Sequence, residues 1–153
     1  MYKVGLFNDS FPPTIDGVAN TVINYANSIH EKFGTPAVFT PKYPNVVDSY
    51  PFEVYRYPSA KFTRQMPYRV GNPFSPLLIH DISKMNLDIL HVHSPFSSSV
   101  LARQVAVLKK IPTVLTYHTK FDIDIDRFID NKRFNNIARK FVLQNINYAD
   151  EVW

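Results

Sequence analysis

The sequence predicts an α/β domain with a mostly parallel sheet and helices on both of its faces. Two observations predict it. Short apolar runs rich in β-branched and aromatic residues alternate along the chain with segments whose apolar residues recur at helical spacing, and 153 residues, 45% of them apolar, suffice for one buried core but not for a second complete domain.

Tyr2, Lys3, Val4, Gly5, Leu6 and Phe7 read as a buried first strand, followed by a loop with Asp9, Ser10, Pro12, Pro13 and Asp16. Val18, Val22, Tyr25, Ala26, Ile29 and Phe33 then recur at helical spacing, so a helix is expected from about Gly17, with Gly34 as the left-handed residue that stops it. Runs at 37–39 and 52–57 read as further strands, while the proline- and aromatic-rich residues 40–76 otherwise show no assignable pattern. A strand is expected at 89–93. Ser94 is expected to cap the next helix, with Pro95 in its first turn and Lys110 at its end. Pro112 opens a strand over 113–117. A loop with Asp122, Asp124 and Asp126 leads into a helix over about 127–147, and 149–153 resemble the start of one more strand, as in a domain cut from a longer protein.

The apolar runs fall short of the roughly 20 residues that a membrane-spanning helix needs, and the first residues lack a signal peptide's cleavage region. The expectation is a soluble chain beginning at Met1. With no cysteine, disulfides and thiolate chemistry are excluded, which suits a reducing cytoplasm and leaves His, Asp, Tyr and backbone amides as the chemical groups. The net charge of +4 is uneven: residues 1–60 hold 4 Lys/Arg against 5 Asp/Glu, and residues 61–153 hold 13 against 8. Such a surplus favours phosphate-bearing partners without choosing among them.

In open parallel sheets ligands bind beyond the carboxyl ends of the strands. Residues 8–18, 93–96 and 118–126 are expected there. At the first, Gly17 permits close approach to the backbone, and a helix start offers unpaired amides to a phosphate or sugar oxygen; an ordinary loop with Asp16 as helix cap fits the same residues. His93 and His118 fall at the ends of two strands expected to be neighbours, as cleft-facing groups or as structural histidines held by carbonyls. His91 and His93 share one strand face. With His118 and Asp122 they sketch a metal site, but no recognised zinc motif is present and no metal is assigned. Lys61, Arg64 and Arg69 interleave with Phe62, Met66 and Tyr68, and the last helix separates Lys132, Arg133, Arg139 and Lys140 from Phe134, Ile137, Ala138, Phe141 and Val142. That pattern suits a surface helix packed on the sheet, and it also suits docking on anionic lipid.

Taken in order, FNDSFPPTIDGVANTV, DILHVHSPF, KIPTVLTYHTKF and NYADEVW resemble the N-terminal half of the GT-B glycosyltransferases of family 4, in the branch that includes diacylglycerol glucosyltransferases and phosphatidylinositol mannosyltransferases. The resemblance spans essentially the whole chain and is weakest over residues 42–76. It implies a Rossmann-like, acceptor-side domain over residues 1–153 of a retaining enzyme, with the nucleotide-sugar-binding domain absent from this chain. A hexose from UDP- or GDP-hexose would pass to an acceptor hydroxyl, such as that of diacylglycerol, without a cofactor, and the isolated domain would be inactive. Asp16 and Gly17 match a loop facing the donor phosphates and sugar, and His118 matches a histidine on the transferred sugar. His93, Ser94, Thr119 and Asp122 are placed at the acceptor or cleft. Lys61, Arg64, Arg69, Lys132 and Arg133 are candidate contacts to an anionic membrane, at the inner face of the plasma membrane. Asp16-Gly17 replaces the Gly-Gly pair of many members, and the residues after His118 depart from the lipid enzymes, which leaves the acceptor open.

Rival readings are a non-catalytic nucleotide-binding module, against which stands the missing G-x-G-x-x-G after the first strand; a peripheral membrane-binding module; and a metal hydrolase. Nucleic-acid binding finds no motif and no aromatic stacking platform.

Overall fold

The computed structural model describes residues 1–61, 68–118 and 132–153, with Lys132 and Arg133 described by backbone alone. In chain order the elements are β1 (Tyr2–Phe7), α1 (Gly17–Lys32), β2 (Gly34–Pro41), β3 (Glu53–Tyr57), β4 (Ser59–Lys61), β5 (Arg69–Gly71), α2 (Pro76–Ser83), β6 (Ile89–Val92), α3 (Ser97–Lys109), β7 (Thr113–Leu115), α4 (Lys132–Ile146) and β8 (Glu151–Val152). The main sheet runs β3-β2-β1-β6-β7-β8 with every neighbouring pair parallel, and β4 and β5 pair separately and antiparallel. This is the doubly wound, Rossmann-like order, which reverses direction between β1 and β6.

Alternation along the strands builds two cores. Val4, Leu6 and Val38 pack with Val22 and Ala26 of α1 and with Phe52 on one face. Phe7, Phe39, Leu90, Val92 and Leu115 pack on the other against Leu101, Ala102 and Val105 of α3 and Ile82 of α2. Phe7 stacks on Phe39 with ring centroids 4.5 Å apart, and Phe39 on Tyr55 at 5.3 Å, so an aromatic row crosses three strands. Residues 4 to 7 are all buried, as expected of a central strand covered on both faces.

Several sequence expectations are corrected. Gly34 is not a left-handed stop: no glycine among the described residues has a positive φ, and Phe33 ends α1 by donating its amide to Ile29 O at 2.9 Å. Gly34 instead opens β2, where a Cβ would lie 1.8 Å from Tyr2 O. The strand expected over 113–117 stops at Leu115, and the one over 89–93 stops at Val92. Ser94 and Pro95 precede α3 rather than starting it. Phe96 holds the cap position without a side-chain cap, because the cap arrives from elsewhere in the chain. Part of the unassigned stretch forms β4 and β5, and α2 begins at its last residue, capped by Ser75 Oγ accepting from Leu78 N at 3.4 Å, with Pro76 in its first turn.

The last helix buries less of its apolar face than its spacing suggests. It begins by Lys132, the expected start at 127 lying outside the described residues; it contacts α3, and Ile146 near its end packs against the sheet core that holds Val92 and Leu115. Val142 is its fully buried apolar residue, with Ala138 and Ile146 packed beside it, and buried Asn145 Nδ2 donates to Pro95 O at 3.0 Å. Phe134 and Ile137 remain 62% and 63% exposed, and Phe141 42%.

Gly34→Ala should lower stability by about 3 kcal/mol, the upper end of overpacking costs, because the obstacle is backbone that cannot rotate away. A urea midpoint equal to that of the parent chain would contradict this account of the β1–β2 contact.

Candidate functional site

Where the sheet reverses, β1 and β6 diverge toward their connections, and their carboxyl ends deliver a buried polar cluster. Asp9, two residues past β1, is its centre. Its Oδ2 accepts from Ser94 Oγ at 2.6 Å and Ser98 Oγ at 2.7 Å; its Oδ1 accepts from Ser98 N at 3.1 Å and from Ser97 Oγ. Asp9 therefore caps α3 from 89 residues away, and its own amide donates to Ser94 Oγ at 3.0 Å. Burial pushes the Asp9 carboxyl above its ordinary range, and the bonds from Ser94, Ser97 and Ser98 pull it back. Ser97 Oγ also accepts from Gly71 N at 3.2 Å and lies 3.3 Å from the buried Tyr57 hydroxyl, which ties β5 and β3 to the same point.

Asp16 caps α1. Its Oδ1 accepts from Ala19 N at 2.7 Å and Ser10 Oγ at 3.1 Å, and its Oδ2 from Tyr68 OH at 3.3 Å. The ordinary cap reading of Asp16 thus holds, and it coexists with an open Gly17: that residue is exposed, and a Cβ there would meet nothing within 4 Å. Gly17 and Val18 occupy the first two helical positions, whose amides have no intrahelical partner.

The third component is a histidine row on the α1 side of the sheet. His91 and His93 share a face with ring centroids 4.0 Å apart, and Tyr25 of α1 lies 5.2 Å and 5.4 Å from them. His91 Nε2 pairs with Thr116 Oγ1 at 2.7 Å. His93 is fully buried, and its Nδ1 lies 2.9 Å from Nε2 of His118, whose ring is half-buried and nearly parallel at 19°. Backbone bonds hold the segment leading to His118: Thr116 N to Val92 O at 2.9 Å and Tyr117 N to Trp153 O at 2.8 Å. Burial lowers the pKa of His91 to about 4 and that of His93 to about 2, and neighbouring histidines add to both shifts. His118 is lowered by burial as well, against the charge of Asp16, which raises it. All three rings are therefore neutral near pH 7.

The structure thus brings Asp16, Gly17, His93, Ser94 and His118 to one edge of the sheet. Ser94 is buried and committed to Asp9, and Thr119, Asp122 and Arg64 lie outside the described residues. Lys61 is exposed at the end of β4, whereas Arg69 donates from Nε and Nη2 to Ser59 at 2.8 Å. Asp9 stood in the expected loop but not among the candidate residues, and its local sequence carries no sign of the serines it meets. Among the described residues no group of three His, Cys, Asp or Glu could hold a metal ion.

Residues 15–152 match the family described as Glycosyltransferase Family 4. The chain belongs to glycosyltransferase family 4. It is 30% identical over 125 residues to an alpha-monoglucosyldiacylglycerol synthase of Streptococcus pneumoniae, an alignment covering 78% of this chain and 27% of that protein. It is 29% identical over 154 aligned positions to the protein of the same name from Acholeplasma laidlawii, covering 95% of this chain and 37% of the relative. This family 4 chain therefore spans only about a quarter to a third of the length of these relatives.

The neutral histidines have a consequence for stability. An unfolded chain binds protons on His91 and His93 near the ordinary pKa of about 6.5, whereas the fold refuses them down to about 4 and about 2. Their contribution is complete above pH 6.5 and is lost as pH falls, at about 1.4 kcal/mol per pH unit for each histidine. Asp9 acts with opposite sign, since its raised pKa favours the fold at lower pH, but it offsets one proton at most. Urea midpoints should therefore fall from pH 7 to pH 5, and His91→Phe should flatten the slope by about one proton. A midpoint that is level or rises on acidification would refute the neutral assignment.

Proposed function

We propose that this chain is the acceptor-side lobe of a retaining glycosyltransferase that moves a hexose from UDP- or GDP-hexose to an acceptor hydroxyl, with a further domain of the same protein gripping the nucleotide. The observation that carries this reading is the convergence of the Asp16–Gly17 helix start and His118 on the carboxyl edge of the sheet, next to the point where strand order reverses. Membership of glycosyltransferase family 4 supports it.

Retaining transfer requires a diphosphate to depart, positive charge to build on the sugar, and a hydroxyl to attack from the same face. The protein's task is to stabilise those charges and align the partners. In this reading the amides of Gly17 and Val18 meet the departing phosphates or a sugar hydroxyl, and His118 hydrogen-bonds the transferred sugar. A neutral imidazole suits that position, because it offers a hydrogen bond without repelling the developing positive charge. Thr119 and Asp122 are the residues this reading assigns to the acceptor. No cofactor takes part beyond the donor.

The acceptor we infer is a glycerolipid such as diacylglycerol, in keeping with the names of both relatives. The surface around α3 and α4 supports work at a cytoplasmic membrane face. Neither helix has an acidic residue, Lys109 and Lys140 are exposed, and Phe134, Ile137 and Phe141 stay exposed. Phe141 also borders an apolar groove of about 540 Å³ with Phe74, Ile79, Val100, Val107 and Leu108. Cationic groups around exposed aromatic side chains match an anionic lipid surface. No helix among the described residues is long and apolar enough to cross a membrane.

In the full-length protein, assayed with a panel of nucleotide-sugars and diacylglycerol, His118→Ala should lower kcat/KM about a hundredfold, as loss of one transition-state donor does elsewhere. Residues 1–153 alone should show no turnover. Intact turnover in the variant would remove His118 from the reaction. Vesicles containing phosphatidylglycerol should sediment the protein in a salt-sensitive manner, and replacing Phe134 and Phe141 together by Ser should weaken that binding about tenfold or more, given roughly 1.5–3 kcal/mol for each buried large apolar side chain. Failure to bind at any salt concentration would defeat the membrane reading.

A further inference from the structure

We infer that His93 is a positioning residue: it donates from Nδ1 to Nε2 of His118 and thereby holds His118 as the tautomer that presents an N–H at Nδ1 to the cleft. The inference rests on the reading that His118 meets the sugar, and it goes further by fixing which kind of hydrogen bond His118 offers.

The geometry leaves His118 one polar ring atom for a ligand. Nε2 is engaged by His93 at 2.9 Å, so only Nδ1 remains on this half-buried ring. His93 itself is fully buried between His91 and Tyr25, with its amide tied to Phe7 O at 2.8 Å, so it reaches a substrate only through His118. One proton lies between the two nitrogens, and two arrangements exist. If His118 donates, His93 must carry its own proton on Nε2, a buried atom with no hydrogen-bond partner among the described residues. If His93 donates, Nε2 is a bare lone pair, and no N–H is orphaned. Buried N–H groups without acceptors are the rarer defect in folded proteins. The second arrangement places the His118 proton on Nδ1, where it meets a sugar oxygen as a donor.

The test uses full-length protein labelled with 15N-histidine, with His118 assigned by comparison with His118→Gln. At pH 7.5, long-range 1H–15N correlations should show a protonated, pyrrole-like Nδ1 and a pyridine-like Nε2 on His118. A protonated Nε2 on His118 would overturn the inference outright, whatever His118 does in the reaction. In turnover assays, His93→Phe keeps a flat ring but removes the donor, and should lower kcat about tenfold with a smaller change in donor KM. His93→Asn, whose amide overlays the Nδ1 position, should recover most of the loss and preserve the His118 tautomer. Wild-type kcat in His93→Phe, or a His118 tautomer that this variant leaves unchanged, would also overturn it. If His118→Ala leaves turnover intact while the tautomer is as stated, the sugar contact fails and the positioning bond stands.

Discussion

The Asp9 carboxylate is the constraint on which this fold depends. It lies just past β1 at the point where the sheet changes direction, and it accepts from three hydroxyls and one amide at the start of α3. α3 has no side-chain cap of its own, and its first three residues, Ser97, Ser98 and Ser99, are all buried. Buried hydroxyls are costly unless each finds a partner, and a buried carboxylate is costlier still. Ser97 and Ser98 answer both requirements by pairing with Asp9, and the positive end of the helix dipole points at the same charge. One carboxylate therefore joins the two halves of the sheet and sets the position of α3, and through Ser97 it also fixes Tyr57 and Gly71.

Both helix starts at the carboxyl edge are thus closed by the chain's own acids, α3 by Asp9 and α1 by Asp16. Each acid contributes negative potential at a place where an anion would otherwise be drawn to a bare helix end. What remains open are the amides of Gly17 and Val18, the exposed space beside Gly17, and the outward nitrogen of His118. These groups offer hydrogen-bond donors to sugar hydroxyls or to the oxygens of a departing phosphate, as the proposed function requires.

The order of strands and helices was legible because it rests on local periodicity: β1, α1 and β6 need only their own apolar spacing to be seen. The pairing of strand ends followed from alternation, and it brought Gly17, His93 and His118 to one edge without any long-range information. What was not legible depends on contacts between distant residues. Ser94-Pro95 has the grammar of a helix start, yet the cap comes from Asp9, 89 residues away, so the helix begins later. Gly34 has the grammar of a helix stop, yet the residue is small because Tyr2 O on the next strand leaves no room. In α4, helical spacing showed an apolar face but not how much of it the core would take: Val142 is covered, and Phe134 and Ile137 are not. Asp9 escaped notice because one acid in a loop has no spacing to reveal it.

Unsatisfied buried groups recur at the same edge, although not only there. Among the described residues, Asn8 Oδ1, Thr40 Oγ1, Arg56 Nη1 and His93 Nε2 are buried without hydrogen-bond partners, as is Thr113 Oγ1 at the opposite, amino end of β7. The first four lie together. They belong to the carboxyl ends of β1, β2, β3 and β6, four strands that are consecutive in the sheet. A core selected for stability alone would fill such positions with apolar side chains, as it does at Leu6, Phe39 and Leu90 in the middle of the same strands. Polar groups kept dry and unpaired along one edge carry a stability cost that packing does not explain. Proteins tolerate such local inconsistency mainly where function demands a particular arrangement. The four at the carboxyl ends accord with the proposed site, which draws on Gly17 and His118 at that edge.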